Sequence, residues 1–70
     1  MSERLRYLRK EHNLSQQDIA AFLHIKQNTY SQYEHGKRQL PIELLIALAK
    51  FYSVSTDFIL SLTDNEDPYP

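Results

Sequence analysis

Five polar side chains share one side of the third helix that the sequence predicts. At about 100° per residue, Ser31, His35, Asn28 and Gln32 fall at about 40°, 80°, 100° and 140° from Gln27. The amides of glutamine and asparagine carry paired hydrogen-bond donors and acceptors, but they do no acid–base chemistry. This face therefore predicts recognition of a hydrogen-bonding pattern and not catalysis.

Catalytic and metal-binding patterns are weak in this sequence. It has no cysteine and a single glycine, so it lacks a thiol nucleophile and a glycine-rich phosphate loop. His12, His24 and His35 have neither the spacing nor the cysteine partners of a zinc site. No pair of carboxylates is expected to converge in a cleft. The sequence predicts neither an enzyme nor a cofactor or metal site.

Basic residues are concentrated in the first 60 positions. The net charge of the 70-residue chain is −1, but positions 1–60 hold all eight basic residues against six acids, a charge of +2. Asp64, Glu66 and Asp67 make the end acidic. This distribution favours a nucleic-acid partner weakly. The charged start and the absence of a long apolar run argue against a signal peptide and a membrane span, and we expect a cytoplasmic protein.

Helical periodicity predicts five helices within one domain at 1–62. Ser15 and Asp18 form a capping-box pair before the second helix, and Ser55 caps the fifth. Gly36 ends the third, and Pro41 suits the first turn of the fourth. The expected helices are about 2–12, 16–23, 27–35, 41–52 and 56–62, followed by an acidic, proline-bearing and loosely ordered tail at 63–70.

Four tyrosines lie at helical spacing among leucines. Tyr7, Tyr30, Tyr33 and Tyr52 are expected in the core with their hydroxyls in water, and not as platforms for stacked bases.

The stretch LSQQDIAAFLHIKQNTYSQYEHGKRQLPIELLIALAKFYSVS resembles the Cro/CI-type (XRE-like) helix-turn-helix family of bacterial and phage regulators. The similarity covers residues 4 to about 60 and includes the L-S-Q-Q opening and the Y-E-x-G-K run. It implies an all-α, compact five-helix bundle of the phage-repressor-like DNA-binding type. In such a bundle helix two crosses the DNA backbone and helix three enters the major groove.

The resemblance also implies roles for individual residues. Gln27, Asn28 and Gln32 match positions that contact bases, and amides suit adenine edges. Gln16 matches a phosphate contact, and Lys37 and Arg38 match backbone contacts in the loop after helix three. The remaining expected DNA-binding residues are Gln17, Lys26, Ser31 and His35.

Arg9 and Glu34 match a structural ion pair between helices one and three. The other basic residues of helix one are interpreted as solubilising charge and not as a phosphate clamp. His24 stands where the family usually has glycine, which predicts strain at a positive φ. Leu40 followed by Pro41 replaces the usual proline-then-polar order and shifts the loop register.

Apolar residues cover nearly all sides of the predicted fourth helix. Its core side is expected to hold Ile42, Leu45, Ile46, Leu48, Ala49 and Tyr52. Leu44, Ala47 and Phe51 form the other side, and a helix of this kind is usually buried on nearly all sides. We therefore expect these three residues to meet a second copy of the chain, or else the folded-back tail.

These observations predict a sequence-specific regulator of transcription that binds double-stranded DNA. It is expected to act as a repressor and as a homodimer on an inverted repeat, with helix three in the major groove. The alternative is a protein-interaction module of the same fold, for example an antitoxin-like one, that binds a partner protein through helices four and five.

Overall fold

The computed structural model describes residues 1–68, and this part of the chain is all-helical. The all-α, five-helix prediction is confirmed. The predicted ends of α1, α3 and α5 lie one to three residues too late, because a turn follows each helix. The five helices are α1 (Ser2–Glu11), α2 (Gln16–Leu23), α3 (Gln27–Glu34), α4 (Ile42–Tyr52) and α5 (Thr56–Ile59).

Side-chain caps start α2 and α5 where the sequence places them. Ser15 Oγ accepts a hydrogen bond from Asp18 N at 3.0 Å, and Asp18 Oδ2 accepts one from Ser15 N at 2.9 Å. The bond from the Ser15 N–H holds the pKa of Asp18 below its usual value. Ser55 Oγ accepts from Phe58 N at 3.0 Å. Both caps satisfy amide groups that a helix start leaves without partners.

Left-handed residues end two of the helices. His24 has φ +59° after α2, as the resemblance implies, and Ser53 has φ +56° after α4. Asn13 adopts φ +56° one residue beyond the cap of α1, and Gly36 has φ +70° after α3. These positions reverse the chain between helices, at a cost in backbone strain for the residues other than glycine.

The core contains three of the four tyrosines. Tyr30, Tyr33 and Tyr52 are buried with residues such as Leu5, Ile19, Leu48 and Ile59. The prediction for Tyr7 was wrong, because 43% of this residue is exposed. The expectation of wet hydroxyls was also wrong for Tyr30 and Tyr52. Their hydroxyl groups are buried without a hydrogen bond to the described residues, and burial raises the pKa of both.

Four of the six residues expected on the core side of α4 are confirmed there, and two are not. Leu45, Leu48, Ala49 and Tyr52 are buried, whereas Ile42 and Ile46 are 65% and 44% exposed. On a helical wheel the buried four centre about 70–110° away from these isoleucines, so the isoleucines lie beyond the edge of the core. Two apolar residues of α4 that were expected inside are therefore on the surface.

The first part of the tail packs against α1 and α5. The Arg4 guanidinium donates to Thr63 O at 3.2 Å and forms an ion pair with Asp64 Oδ1 at 2.8 Å. It also lies 4.2 Å from the centre of the Phe58 ring. Ser55 N donates to Glu66 O at 3.0 Å. Arg4 therefore connects the start of α1 to residues beyond α5.

The folded-back tail was the alternative cover for helix four, and its Tyr69 lies outside the described residues. No helix in residues 1–68 is long and apolar enough to cross a membrane.

Candidate nucleic-acid interface

The predicted reading residues lie on the outer face of α3. Gln27 and Asn28 are exposed in its first turn, and Gln32 is half-buried one turn later. Lys26, the residue before the helix, is also exposed, and its side chain makes no capping hydrogen bond. The structure thus brings the three amides to one surface, with a lysine at the end where the helix begins.

The opposite side of α3 is anchored in the core. Tyr30 and Tyr33 are buried, and α3 packs against both α2 and α1. Buried aromatic rings at this spacing fix the rotation of the helix about its axis. The amide face is consequently held outward by the tyrosines behind it.

A buried carboxylate joins α3 to α1 and to the start of α2. Glu34 is 1% exposed, and its Oε2 accepts from Arg9 Nε at 2.6 Å. Its Oε1 accepts from Arg9 Nη2 at 3.1 Å and from Gln16 Nε2 at 3.2 Å. Arg9 also donates to Leu14 O at 2.9 Å. The pair that the resemblance implies is present, and Gln16 is an additional member.

This network determines the electrostatics of Glu34. Burial alone would raise the pKa of Glu34, but hydrogen bonds, first of all from Arg9, outweigh burial and hold the pKa below its usual value. The same bond raises the pKa of Arg9. Because a carboxylate only accepts, it turns the nitrogen of the Gln16 amide toward itself. One N–H of Gln16 is thus used inside the protein, and the other stays free to donate.

Ser31 and His35 are partners of each other. His35 Nδ1 lies 2.7 Å from Ser31 O and 3.3 Å from Ser31 Oγ. A carbonyl oxygen only accepts, so Nδ1 carries the hydrogen and Nε2 is the nitrogen left for an outside partner. The sequence placed both residues on the amide face but did not predict this contact, although the i, i+4 spacing permits it.

The loop after α3 presents two basic residues. Lys37 and Arg38 are exposed, and the positive φ of Gly36 turns the chain into this loop. Lys37 N donates to Gln32 O at 2.9 Å and Gly36 N to Tyr33 O at 3.2 Å, so the backbone closes the end of α3. Gln17, on the other side of the motif, is exposed near the start of α2.

The residues predicted to form the dimer contact are only partly exposed. Leu44 and Ala47 are half-buried and pack against the core. Phe51 is 40% exposed, and its ring centre lies 4.5 Å from that of Phe22, a residue of α2 that is also exposed. The surface on this side is therefore an aromatic pair rather than a continuous stripe of α4.

Within residues 1–68, no group of three or more histidine, aspartate or glutamate side chains is placed to hold a metal ion.

A family model described as helix-turn-helix matches residues 5–59 of the chain. Among curated proteins, the HTH-type transcriptional regulator YobD of Bacillus subtilis is 42% identical over 66 residues, and that match covers 94% of this chain and 59% of YobD. The regulator MJ0272 of Methanocaldococcus jannaschii is 35% identical over 66 residues, covering 94% of this chain and all of MJ0272.

The cryptic phage CTXphi transcriptional repressor RstR of Vibrio cholerae is 40% identical over 53 residues, or 76% of this chain and 48% of RstR. The chain thus spans about half the length of YobD and RstR and the whole length of MJ0272. No solved structure matches the chain significantly.

Proposed function

Since this chain belongs to the helix-turn-helix family, in agreement with its Cro/CI-type (XRE-like) resemblance, we propose that it binds double-stranded DNA sequence-specifically and regulates transcription. The observation that carries the proposal is the outward amide face of α3, with Gln27, Asn28 and Gln32 held by the tyrosines behind them. Amide side chains in a major groove contact adenine edges through paired hydrogen bonds. We propose that these three residues read bases.

The residues around α3 are proposed to hold the DNA backbone. Lys37 and Arg38 lie in the exposed loop after α3, and Gln16 keeps one N–H free while Glu34 orients its amide. Contacts of this kind set the position of the protein on DNA and depend on salt. Gln17, Lys26, Ser31 and His35 complete the proposed interface.

Repression is the proposed outcome of binding. RstR is named as a repressor, and it matches three-quarters of this chain. We propose that this protein likewise represses by occupying its site.

Selection of random duplexes by the purified protein, followed by sequencing of the retained DNA, tests the reading function. We expect an enriched site that contains adenines. Gln32→Ala should then cost about 1–3 kcal/mol on the selected site and relax one base position. Gln39→Ala is the matched control, because Gln39 is an exposed glutamine of the loop after α3 that is not among the proposed base-reading residues. If Gln32→Ala lowered the affinity for selected and random DNA equally, Gln32 would not be a base-reading residue.

We further propose that the protein binds an inverted repeat as a homodimer. Half-sites about one helical turn apart are the usual arrangement for this motif. Phe51, together with the half-buried Leu44 and Ala47, is the proposed contact. The exposed Ile42 and Ile46 offer a competing surface on the same helix. Sedimentation of Phe51→Glu against Ile46→Glu distinguishes the two surfaces. Dissociation by Ile46→Glu alone would contradict the contact at Phe51.

A second function is supported by a groove between α4, α5 and the tail. Its volume is about 410 Å³, and its lining includes Ile46, Ala49, Val54 and Pro68. An apolar groove of this size suits a helix or strand of another protein. The alternative proposal is therefore an interaction module that binds a partner protein through α4 and α5. Failure to enrich any duplex in the selection would favour this reading.

A further inference from the structure

The basic residues of α1 lie on two opposite sides of the helix. At about 100° per residue, Tyr7 falls at about 300° from Arg4, while Arg9 and Arg6 fall at about 140° and 200°. Arg4 contacts Phe58 and the tail, and Tyr7 OH donates to Glu66 Oε2 at 3.4 Å. Arg9 contacts Glu34 on α3. One side of α1 therefore faces α5, and the other faces the motif that is proposed to bind DNA.

Arg6 lies on the side of α1 that faces α3. Its Nη2 donates to Glu34 O, at the end of α3, across 3.5 Å. One turn earlier in α1, Ser2 Oγ lies 3.8 Å from the position that a Cβ atom on Gly36 would occupy. This side of α1 thus borders the loop that carries Lys37 and Arg38.

Arg6 differs from the other two arginines of α1 in its partners. Arg4 pairs with Asp64 and Arg9 with Glu34, and these are the two ion pairs found in residues 1–68. The side chain of Arg6 is exposed and has one hydrogen bond, to a carbonyl, at the long limit for such a bond. A guanidinium has five N–H donors. Arg6 therefore keeps its charge and most of its donors available.

Glu34 does not compete for the Arg6 charge. Both of its carboxylate oxygens already accept hydrogen bonds, from Arg9 and from Gln16. Gln16 lies at the start of α2, and Lys37 follows the end of α3. Arg6 reaches the end of α3, while its neighbour Arg9 reaches both Glu34 and the backbone just before α2. Arg6 and Gln16 therefore both contact Glu34, the last residue of α3, and Lys37 lies three residues beyond it.

We propose that Arg6 contacts a DNA backbone phosphate and joins the contacts of Gln16 and of the 37–38 loop into one track. The inference rests on the proposed DNA-binding function and replaces the interpretation of Arg6 as solubilising charge. Guanidinium groups bind phosphate through parallel N–H donors. The carbonyl of Glu34 contacts the Arg6 group without neutralising its charge.

Salt dependence of DNA binding tests the proposal. Fluorescence anisotropy between about 50 and 200 mM salt measures the affinity for a selected duplex and for a random one. The proteins compared are the wild type, Arg6→Gln, Arg38→Gln and the control Lys50→Gln. Lys50 is an exposed lysine on α4 and is not among the residues proposed to contact DNA. We expect Arg6→Gln to make the slope of log K against log salt less steep on both duplexes, by about 0.9 for each Arg6 in contact and thus by about 1.8 for the proposed homodimer. Arg6→Lys should restore the slope.

Two results would overturn the inference in different ways. If Arg38→Gln lowers the slope but Arg6→Gln behaves like Lys50→Gln, Arg6 is not a phosphate contact and the proposed function stands. If the wild type binds neither duplex in a salt-dependent way, the proposed function and this inference fail together. Should Arg6→Gln not fold, the wild-type NMR signal of Arg6 Nε–H decides, because it must shift when DNA is added, and an unshifted signal refutes the contact.

Discussion

Replacement of Glu34 by glutamine is the most informative perturbation of this fold. Glutamine keeps the size of the side chain but removes its charge and turns one acceptor oxygen into an N–H₂ donor. The carboxylate of Glu34 accepts three hydrogen bonds, two from Arg9 and one from Gln16. After Glu34→Gln, the new amide nitrogen must face a donor of Arg9 or of Gln16, and the guanidinium loses its counter-charge.

The expected cost follows from the burial of the pair. Removal of one partner of a buried ion pair costs about 3–5 kcal/mol, against about 0–1 kcal/mol for a surface pair. The side chain of Glu34 is 1% exposed and that of Arg9 is 14% exposed. Arg9 keeps its bond to Leu14 O, so we expect the lower end of the buried range, about 3 kcal/mol. A core of this size supplies only about 3–5 kcal/mol in total. Glu34→Gln should therefore be marginally folded at room temperature.

Urea unfolding followed by far-UV circular dichroism measures this cost at neutral pH. The matched control is the double variant Arg9→Met with Glu34→Leu, which replaces the pair by apolar groups and should recover most of the lost free energy. A loss below about 1 kcal/mol for Glu34→Gln would mean that solvent screens the pair, and would refute the reasoning from burial.

The dependence of the free energy of unfolding on pH is a second test of Glu34→Gln. The folded state lowers the pKa of Glu34 below its ordinary value of 4.5, so the stabilisation by its charge is complete above that value. It is lost as the pH falls through the lower, folded value. The wild type should lose stability on acidification below about pH 4.5, and Glu34→Gln should lose less. Asp18, whose pKa is also lowered, leaves a smaller acid dependence in both proteins.

Two further predictions concern the helix ends. Ser15→Ala removes the side-chain cap of α2 and should cost about 1 kcal/mol in urea unfolding. The control is Ser2→Ala, which should change stability by less than about 0.5 kcal/mol because the Ser2 side chain caps no helix. Equal effects of the two substitutions would contradict the role of the cap. His24→Gly relieves a left-handed backbone and should raise the free energy of unfolding by up to about 1 kcal/mol. Ser53→Gly, at the corresponding position after α4, should also raise the free energy of unfolding. A loss of stability in both variants would show that the backbone strain is smaller than the entropy that glycine adds to the unfolded chain.

Local features were predicted well from the sequence because they depend on residues close in the chain. The Ser15 capping box and the Ser55 cap are of this kind, whereas the positive φ of His24 was implied by the family resemblance. The placement of the amides on the outer face of α3 also follows from spacing alone.

Contacts between distant elements could not be predicted in this way. The exposure of Ile42 and Ile46 depends on which side of α4 meets the other helices, and the wheel of an almost wholly apolar helix does not specify that side. The hydrogen bond of Gln16 to Glu34 joins positions 18 apart in the chain, and that of Arg4 to Asp64 joins positions 60 apart. These contacts depend on tertiary packing.

The attachment of the tail to Arg4 has a consequence for how the protein meets DNA. It holds Asp64 and Glu66 against the side of α1 that faces α5, opposite Arg6. Two acidic charges of a chain with a net charge of −1 are thereby kept on the side of α1 that faces away from the proposed interface. A phosphate backbone repels these two carboxylates and so favours approach by the opposite side of the molecule. The orientation in which the protein meets DNA, and with it the association rate at low salt, should therefore depend on the contact between Arg4 and Asp64, which lies outside the proposed interface.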